Sequence, residues 1–286
     1  MHYSPLRYPG GKGKIAKFMK DLISENHLLD GTYVEPFAGG SEIAFNLLFE
    51  EYVQNIILND LDRSIYALWY SVLNNTQELC TLILETPVTI SEWKKQKEVQ
   101  RQKETADLLE LGFSTFYLNR TNHSGIIDAG VIGGIEQAGK WKMDARYNKT
   151  ELIRRIQKIA NYKQRIQVYN LDAIEFIQQI VVSLPRNTLI YFDPPYYKKG
   201  QILYVNHYEP EDHCKLSAII SENTTHHWVL TYDNTPEIFG LYSSFRPLEY
   251  TLNYSAANNG QGSELMFFSQ NCVIPENIRL NIPIKI

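Results

Sequence analysis

The tetrapeptide Asp193-Pro194-Pro195-Tyr196 follows an apolar run, Thr188 to Phe192, and joins a carboxylate, a backbone carbonyl and an aromatic ring. Pro195 fixes its own φ and biases Pro194 toward extended backbone, which restricts where the Pro194 carbonyl points. Two acceptors beside an aromatic face are suited to hold an exocyclic amino group on a flat base, with Tyr196 stacked on that base. Hydrogen bonds to Asp193 and to the Pro194 carbonyl would raise the electron density on the amino nitrogen. The pattern therefore predicts a site that makes an aromatic amine nucleophilic.

Acids and glycines also follow other predicted strands, where ligands of open parallel sheets bind. The missing side chain at Gly39 lets a ligand approach the backbone. Asp60 comes roughly twenty residues later, where an acid is suited to accept both hydroxyls of a ribose. Asp172 follows the third predicted strand and Asp233 ends the fifth. Each acid alone can equally be a helix N-cap, but together they predict a nucleoside-type pocket.

Other common sites are excluded. The segment from Gly10 to Lys14 continues into Ile15 and follows no strand, so it is not a P-loop, and the turn from Phe37 to Ser41 lacks the G-x-G-x-x-G dinucleotide motif. The 3 cysteines are far apart and form no C-x-x-C pair, which argues against a disulfide framework or a zinc site and fits a reducing compartment. No metal site is expected.

The elements that must position these residues alternate between strand and helix, which indicates an α/β fold with a mostly parallel sheet covered on both faces. The last strand follows a polar stretch and is predicted to be an antiparallel edge strand. Strands are predicted at Thr32 to Phe37, Asn55 to Asp60, Arg165 to Asn170, Thr188 to Asp193, His227 to Asp233 and Glu264 to Ser269. Helices are predicted at Glu42 to Glu51, Leu61 to Leu73, Ala173 to Ile180, Pro210 to Ser221 and Pro236 to Tyr242.

Residues 76–163 break this alternation and are predicted to form a mainly helical insertion, which divides the catalytic domain into residues 1–75 and 164–286. The chain has a net charge of −4, yet residues 140–165 carry nine basic side chains and two acidic ones. A concentrated basic stretch on an acidic protein suits contact with phosphates along one face. A solvated helix rich in Lys and Arg is the alternative interpretation.

In these features the chain resembles the Dam-like (alpha-group) DNA adenine-N6 methyltransferases over nearly its whole length. Five segments carry the resemblance in the order of one permuted group of that family. These are RYPGGK (Arg7 to Lys12), EPFAGG (Glu35 to Gly40), LND (Leu58 to Asp60), FYLNRTNHSG (Phe116 to Gly125) and DPPY (Asp193 to Tyr196). The resemblance implies a Rossmann-like sheet that binds S-adenosylmethionine and an insertion that recognises the DNA target. It also implies methyl transfer to the exocyclic amine of a flipped adenine.

The resemblance assigns roles to individual residues. Catalysis falls to Asp193, Pro194 and Tyr196. Contacts with S-adenosylmethionine fall to Tyr8, Lys12, Glu35, Phe37, Gly39, Asp60, Asp172 and Asp193. In the insertion, the candidates for DNA contact are Asn119, Arg120, Asn122, Lys140, Lys142 and Arg146, because Arg and Asn can pair with base edges and lysines more often contact phosphate. One departure from the family pattern is Ser41, which stands at the last position of F-x-G-x-G.

Two other functions share parts of this pattern. An RNA or protein amino-group methyltransferase would share the tetrapeptide, but the basic helical insertion favours duplex DNA. A non-catalytic DNA-binding relative is disfavoured by the intact Asp193 and Tyr196. No run approaches the roughly 20 apolar residues that cross a bilayer, so we expect no membrane contact and a cytoplasmic location. A restriction–modification system with a cognate endonuclease, a phage and a solitary modifier stay open as biological settings, and the sequence sets no oligomeric state.

Overall fold

The computed structural model describes residues 2–7, 13–198, 208–223, 225–253 and 261–275. The chain divides into two compact units, which are described separately. The helical unit comprises Met1–Pro9 and Asp62–Asn170, and the sheet unit comprises Gly10–Leu61 and Leu171–Ile286. The helical unit is therefore larger than the insertion expected at residues 76–163.

The strands form a seven-stranded mixed sheet in the order β3-β2-β1-β4-β5-β7-β6. Their bounds are β1 Gly31–Glu35, β2 Val53–Asn59, β3 Ile166–Tyr169, β4 Thr188–Phe192, β5 His227–Asp233, β6 Leu248–Asn253 and β7 Gln261–Phe268. Strands β2, β1, β4 and β5 run parallel, and every residue of β1 and β4 is buried. The predicted α/β fold with a mostly parallel sheet is thereby confirmed.

The end of the sheet differs from the prediction at one strand. The predicted last strand is antiparallel to β5, as expected, but it is not at the edge, because β6 pairs with its other side. Strand β6 was missed because its sequence, LEYTLN, is short and half polar. Its apolar residues alternate with polar ones, which is the pattern of a strand with one buried face.

Ten α-helices are described. The sheet unit contains α1 Gly13–Glu25, α2 Glu42–Phe49, α8 Ala173–Gln179, α9 Pro210–Glu222 and α10 Pro236–Leu241. The helical unit contains α3 Arg63–Asn74, α4 Thr76–Glu85, α5 Ile90–Arg101, α6 Leu108–Thr121 and α7 Lys149–Ala160. Within the described ranges, each helix is too short or too polar to span a bilayer.

Helices α3 and α6 form the centre of the helical unit, and α6 is buried along most of its length. A Cβ atom at Gly112 would lie 2.6 Å from the Ala67 carbonyl oxygen, so a glycine is needed where the two helices cross. This close packing explains why α3 belongs to the helical unit although the sequence places it before the expected insertion.

In the sheet unit, Asn59 connects the loops that follow two strands. Its side chain is almost completely buried. The Nδ2 group donates to the carbonyls of Pro36 and Leu171, each at 3.0 Å, and Oδ1 accepts from the Leu171 N–H at 3.0 Å. All three bonds satisfy backbone groups next to the glycine turn and to α8, so this amide fixes the loops at that edge of the sheet.

We expect Asn59→Ala to lower the free energy of unfolding by about 3 kcal/mol, since three buried hydrogen bonds contribute about 1 kcal/mol each. Chemical denaturation monitored by circular dichroism measures this change. The matched control is Asn74→Ala, which removes an exposed amide with one bond to the Tyr70 carbonyl and should change stability by less than about 0.5 kcal/mol. Equal losses in the two variants would contradict this role of Asn59.

Candidate active site

The tetrapeptide Asp193-Pro194-Pro195-Tyr196 directly follows β4, and a relay of hydroxyl groups orients its carboxylate. Thr231 on β5 donates from Oγ1 to Asp193 Oδ1 at 3.0 Å. The Tyr191 hydroxyl lies 2.9 Å from the same Thr231 oxygen. Because the Thr231 proton is used toward Asp193, Tyr191 is the donor of that second bond. Burial, reinforced by the charge of Asp193, raises the pKa of Tyr191 well above its ordinary value and keeps this donor protonated.

The peptide that leaves the tetrapeptide is held by Asp233 at the end of β5. Its Oδ1 accepts from the N–H of Tyr197 at 2.9 Å, and its Oδ2 accepts from the N–H of Lys198 at 3.0 Å. Asp233 is itself buried. The acid that ends the fifth strand therefore fixes the backbone just after the tetrapeptide.

A third group holds the tyrosine ring of the tetrapeptide. The Tyr196 hydroxyl donates to Oε1 of Glu264 on β7 at 2.5 Å, and the Tyr250 hydroxyl on β6 donates to Oε2 of the same carboxylate. Glu264 and Tyr250 are completely buried. Burial first, and then the Glu264 charge, raise the pKa of Tyr250 well above its ordinary value. Sequence reasoning missed Glu264, although an acid inside the apolar run ELMFF is an unusual residue for a strand core.

The glycine turn after β1 is closed by residues from the end of β2. The Gly39 N–H donates to Asp60 Oδ2 at 2.8 Å, and the Ala38 N–H donates to the Asn59 carbonyl at 2.8 Å. Gly39 has a φ of 46°, a conformation that costs glycine little. Asp60 therefore shapes the turn as well as standing where the resemblance places the ribose-binding acid.

Ser41, which departs from the family pattern, also adopts a left-handed backbone, with φ 48° and ψ 30°. Its Oγ donates to the Ala38 carbonyl at 3.1 Å. The turn thus keeps a left-handed conformation at this position without a glycine, at a steric cost of about 1–2 kcal/mol.

Glu35, at the end of β1, is almost completely buried. Burial raises its pKa to about 8, although hydrogen bonds with Tyr33 and Ser41 act in the opposite direction. A carboxyl group with this pKa is largely protonated at neutral pH and can donate as well as accept a hydrogen bond.

Aromatic rings and acids meet beyond the glycine turn. The rings of Phe37 and Tyr208 pack edge to face with centroids 6.0 Å apart. Burial raises the pKa of Tyr208, and the charges of Asp172 and Asp60 add to this shift. Aromatic faces for a purine and carboxylates for ribose hydroxyls are a donor set that fits the adenosine part of S-adenosylmethionine.

The remaining predicted cofactor contacts have different positions. Asp172 is exposed and caps α8 by accepting from the N–H of Ile174 at 2.8 Å, which was the alternative role considered for an acid at a strand end. Tyr8 and Lys12 lie outside the described residues.

Two predicted DNA contacts in the helical unit have internal roles. Asn119 Oδ1 accepts from the Arg7 N–H at 2.7 Å, and its Nδ2 donates to the carbonyls of Arg7 and Gly125. Asn122 accepts from Trp93 Nε1 and donates to two backbone carbonyls. Both asparagines are buried, and their amides satisfy groups of the unit itself. Their contact with DNA stays a prediction.

Two other predicted DNA contacts line a cavity of about 460 Å³ in the helical unit. Lys140 and Arg146 line it together with Arg7 and Trp141. Trp141 is 66% exposed, with the Lys140 ammonium 5.8 Å from its ring centroid. Lys142 is exposed and donates to the Gln137 carbonyl. Cationic and aromatic groups thus share one open surface.

Arginines are crowded beside this cavity. Arg120 donates from Nε to the Arg146 carbonyl at 2.8 Å. Its pKa is lowered to about 10 by burial and by the neighbouring charges of Arg7, Arg155 and Arg146. The pKa of Arg7 is lowered by burial and by Arg146. Like charges held this close oppose one another, and a bound anion would relieve that repulsion.

Basic residues of α7 have partners within the helical unit. Arg154 and Arg155 pair with Glu151, each at 2.9 Å. Lys149 donates to the Leu84 and Thr86 carbonyls, and the Lys158 ammonium lies 4.5 Å from the centroid of the Tyr3 ring. The basic stretch seen in the sequence therefore separates into a part paired on α7 and a part at the cavity.

Comparison with known proteins connects both units to one family. Residues 8–256 match the family model of the D12 class N6 adenine-specific DNA methyltransferases. A curated relative, the type II methyltransferase M.MjaIII of Methanocaldococcus jannaschii, is 23% identical over 207 residues, which cover 67% of this chain and 68% of the relative.

Two solved structures are similar at low identity. A Listeria monocytogenes protein described as a class I S-adenosylmethionine-dependent methyltransferase has 9% identity and a TM-score of 0.43, covering 95% of this chain but 64% of that one, just under two thirds. The rRNA methyltransferase AviRa of Streptomyces viridochromogenes has 12% identity and a TM-score of 0.36, covering 88% of this chain and 84% of that one. At these TM-scores the two similarities support no conclusion about this chain.

The family match spans most of the chain and includes the glycine turn, the helical unit and the tetrapeptide. It confirms the predicted family, with S-adenosylmethionine as methyl donor and DNA as substrate. The chain belongs to the D12 class of N6 adenine-specific DNA methyltransferases.

Proposed function

We propose that Asp193, the Pro194 carbonyl and Tyr196 hold the adenine that is methylated. The observation that carries this assignment is the set of three anchors on the tetrapeptide. Thr231 orients the Asp193 carboxylate, Asp233 binds the following backbone and Glu264 binds the Tyr196 hydroxyl. Anchored acceptors suit a reaction that depends on placing one nitrogen in line with a methyl group.

The proposed chemistry needs little beyond orientation and charge. S-adenosylmethionine, when bound, supplies a methyl group that its sulfonium charge already activates. The Asp193 carboxylate and the Pro194 carbonyl accept hydrogen bonds from the adenine amine and draw its lone pair out of conjugation with the ring. As the new N–C bond forms, the nitrogen gains positive charge, which the Asp193 carboxylate stabilises. Water takes the proton that leaves the nitrogen. The adenine reaches this pocket after flipping out of the duplex.

The cofactor would be held at the edge of the sheet where β1 and β2 end. Phe37 and Gly39 supply an aromatic face and an open backbone, Asp60 accepts the ribose hydroxyls, and Glu35 supports the turn from within. Asp172 reaches the adenine ring in this proposal, while Tyr8 and Lys12 are assigned to the cofactor by the family resemblance. The meeting of the Phe37 and Tyr208 rings with the charges of Asp60 and Asp172 supports this placement.

The helical unit would contact the DNA target through the surface formed by Arg7, Lys140, Trp141 and Arg146, which we call the basic cavity. Guanidinium and ammonium groups bind phosphates, and an exposed indole offers a stacking face for a base. The repulsion among Arg7, Arg120 and Arg146 supports an anionic partner here. Lys142, at the same exposed loop, adds a further phosphate contact.

The biological setting is also a proposal. Because a curated relative is named as a type II methyltransferase, we propose a cytoplasmic role in a restriction–modification system with a cognate endonuclease. Single-molecule sequencing of DNA from cells that express the chain would locate methylated adenines and define the target. The setting would be contradicted if the same genome encoded no endonuclease that cuts the unmethylated target and spares the methylated one.

Asp193→Ala should lower kcat about 10²–10³-fold while leaving DNA affinity within about twofold, because the carboxylate acts on the amine and not on phosphates. Thr231→Val should have a smaller effect in the same direction, since it leaves Asp193 in place but removes the hydroxyl that orients it. Tritium transfer from labelled S-adenosylmethionine measures both. The control, Asp21→Ala, removes an exposed acid of α1. Full activity of Asp193→Ala would refute the assignment.

Arg146→Ala and Lys140→Ala should each weaken DNA binding and reduce the slope of log affinity against log salt by about 1, because each removes one phosphate contact. Fluorescence anisotropy at several salt concentrations measures the slope. Arg154→Ala is the matched control, since it deletes a cation of the same basic stretch that is paired with Glu151. The basic cavity would not be the DNA contact if all three variants had the wild-type slope.

A further inference from the structure

We propose that Glu264 is a positioning residue for methyl transfer, which acts by fixing the ring of Tyr196 through its hydroxyl. This inference rests on the proposed role of Tyr196 at the target adenine. It adds a residue that lies on β7, outside every motif that the sequence analysis singled out, and it includes Tyr250 as a second support.

The geometry gives each oxygen of the Glu264 carboxylate one phenol. Tyr196 donates to Oε1 at 2.5 Å, and Tyr250 donates to Oε2. Distances of this size are typical of O–H···O⁻ bonds, which are roughly twice as strong as bonds between neutral groups. The carboxylate thus links Tyr196 to β6 and β7, which are paired by an antiparallel ladder of hydrogen bonds.

The strand register explains why this carboxylate lies beneath the tetrapeptide. Glu264 is paired with Asp233 on β5 and with Tyr250 on β6. Residues directly opposite in an antiparallel pair point to the same face of the sheet. Two neighbouring acids therefore hold neighbouring parts of the loop, because Glu264 binds the Tyr196 side chain and Asp233 binds the N–H groups of Tyr197 and Lys198.

Stability alone does not account for an acid at this position. Glu264 has no exposed surface, and moving a carboxylate out of water is costly even when hydrogen bonds satisfy it. Buried polar networks can often be replaced by apolar side chains of similar volume without loss of stability. What an apolar residue could not do is bind the Tyr196 hydroxyl and set the angle of its ring.

A fixed ring matters because a stacked base must present its amine in line with the methyl group. Displacements of about 1 Å at a reacting centre can lower a rate about 10²-fold. Tyr196 is 6% exposed, so a limited part of its surface is accessible to a base. Holding both its hydroxyl and the backbone that follows it restricts that surface to one orientation.

The first test is Glu264→Gln, which preserves size but turns one of the two acceptors into a donor. We expect kcat to fall about 10- to 100-fold, with the KM values for S-adenosylmethionine and DNA changed by less than about threefold. Tyr242→Phe is the control, because it removes another fully buried tyrosine hydroxyl of the sheet unit, one that lies beside Ser217. It should retain wild-type kcat.

The second test separates positioning from folding. The triple variant Tyr196→Phe, Tyr250→Phe, Glu264→Leu replaces the whole buried network by apolar groups. We expect its melting temperature to be equal to or above that of the wild type, while its kcat falls as in Glu264→Gln. A wild-type kcat in both the triple variant and Glu264→Gln would overturn the proposal.

Tyr196→Ala distinguishes this inference from the function it rests on. If Tyr196→Ala lowers kcat strongly while Glu264→Gln and the triple variant do not, the proposed role of Tyr196 stands and only that of Glu264 fails. If Tyr196→Ala also keeps wild-type kcat, the proposed contact of Tyr196 with the adenine is wrong. The inference about Glu264 then fails as well. A lowered kcat in all three variants, with stability retained, supports both.

Discussion

The candidate active site depends on the attachment of an irregular loop to the sheet. The tetrapeptide after β4 lies outside the hydrogen-bonded ladder, so side chains of neighbouring strands must hold it. On β5, Thr231 binds the Asp193 carboxylate and Asp233 binds the backbone that follows Tyr196. On β7, Glu264 binds the Tyr196 hydroxyl. Since β5 and β7 are hydrogen-bonded neighbours, the loop rests on a rigid base. In the proposed mechanism, this attachment holds the residues that place the adenine amine.

The helical unit holds several cationic side chains close together. Asn119 binds both backbone groups of Arg7 and the carbonyl of Gly125, and so keeps Arg7 beside the basic cavity. A Cβ at Gly125 would lie 2.4 Å from the Arg7 carbonyl oxygen, and this residue has a φ of +79°, so glycine is needed there. A buried amide and one glycine thus fix the position of the Arg7 backbone within the helical unit.

Much of the fold could be predicted because buried strands are recognisable as continuous apolar runs, such as TLIYF and HWVLTYD. The glycine turn after β1 and the tetrapeptide after β4 could also be located, because acids and glycines at strand ends are local signals. Their roles at the cofactor and at the adenine stay predictions. What local sequence could not show depends on long-range contacts. Asn119 was a candidate for DNA contact because of its residue type, but it is buried on α6 and its amide bonds the backbone of Arg7. Glu264 was missed because its partners are 68 and 14 residues away, and β6 was missed because it is short and half polar.

The buried tyrosines of the candidate active site also affect the stability of the fold at high pH. Tyr191 and Tyr250 have pKa values raised well above 10 by burial and by nearby acids. In an unfolded chain these phenols would ionise near pH 10, whereas the folded chain keeps them protonated. Their contribution to stability is therefore complete below pH 10 and is lost as the pH rises above it. High pH is therefore expected to destabilise the part of the sheet unit in which Tyr191 bonds Thr231 and Tyr250 bonds Glu264.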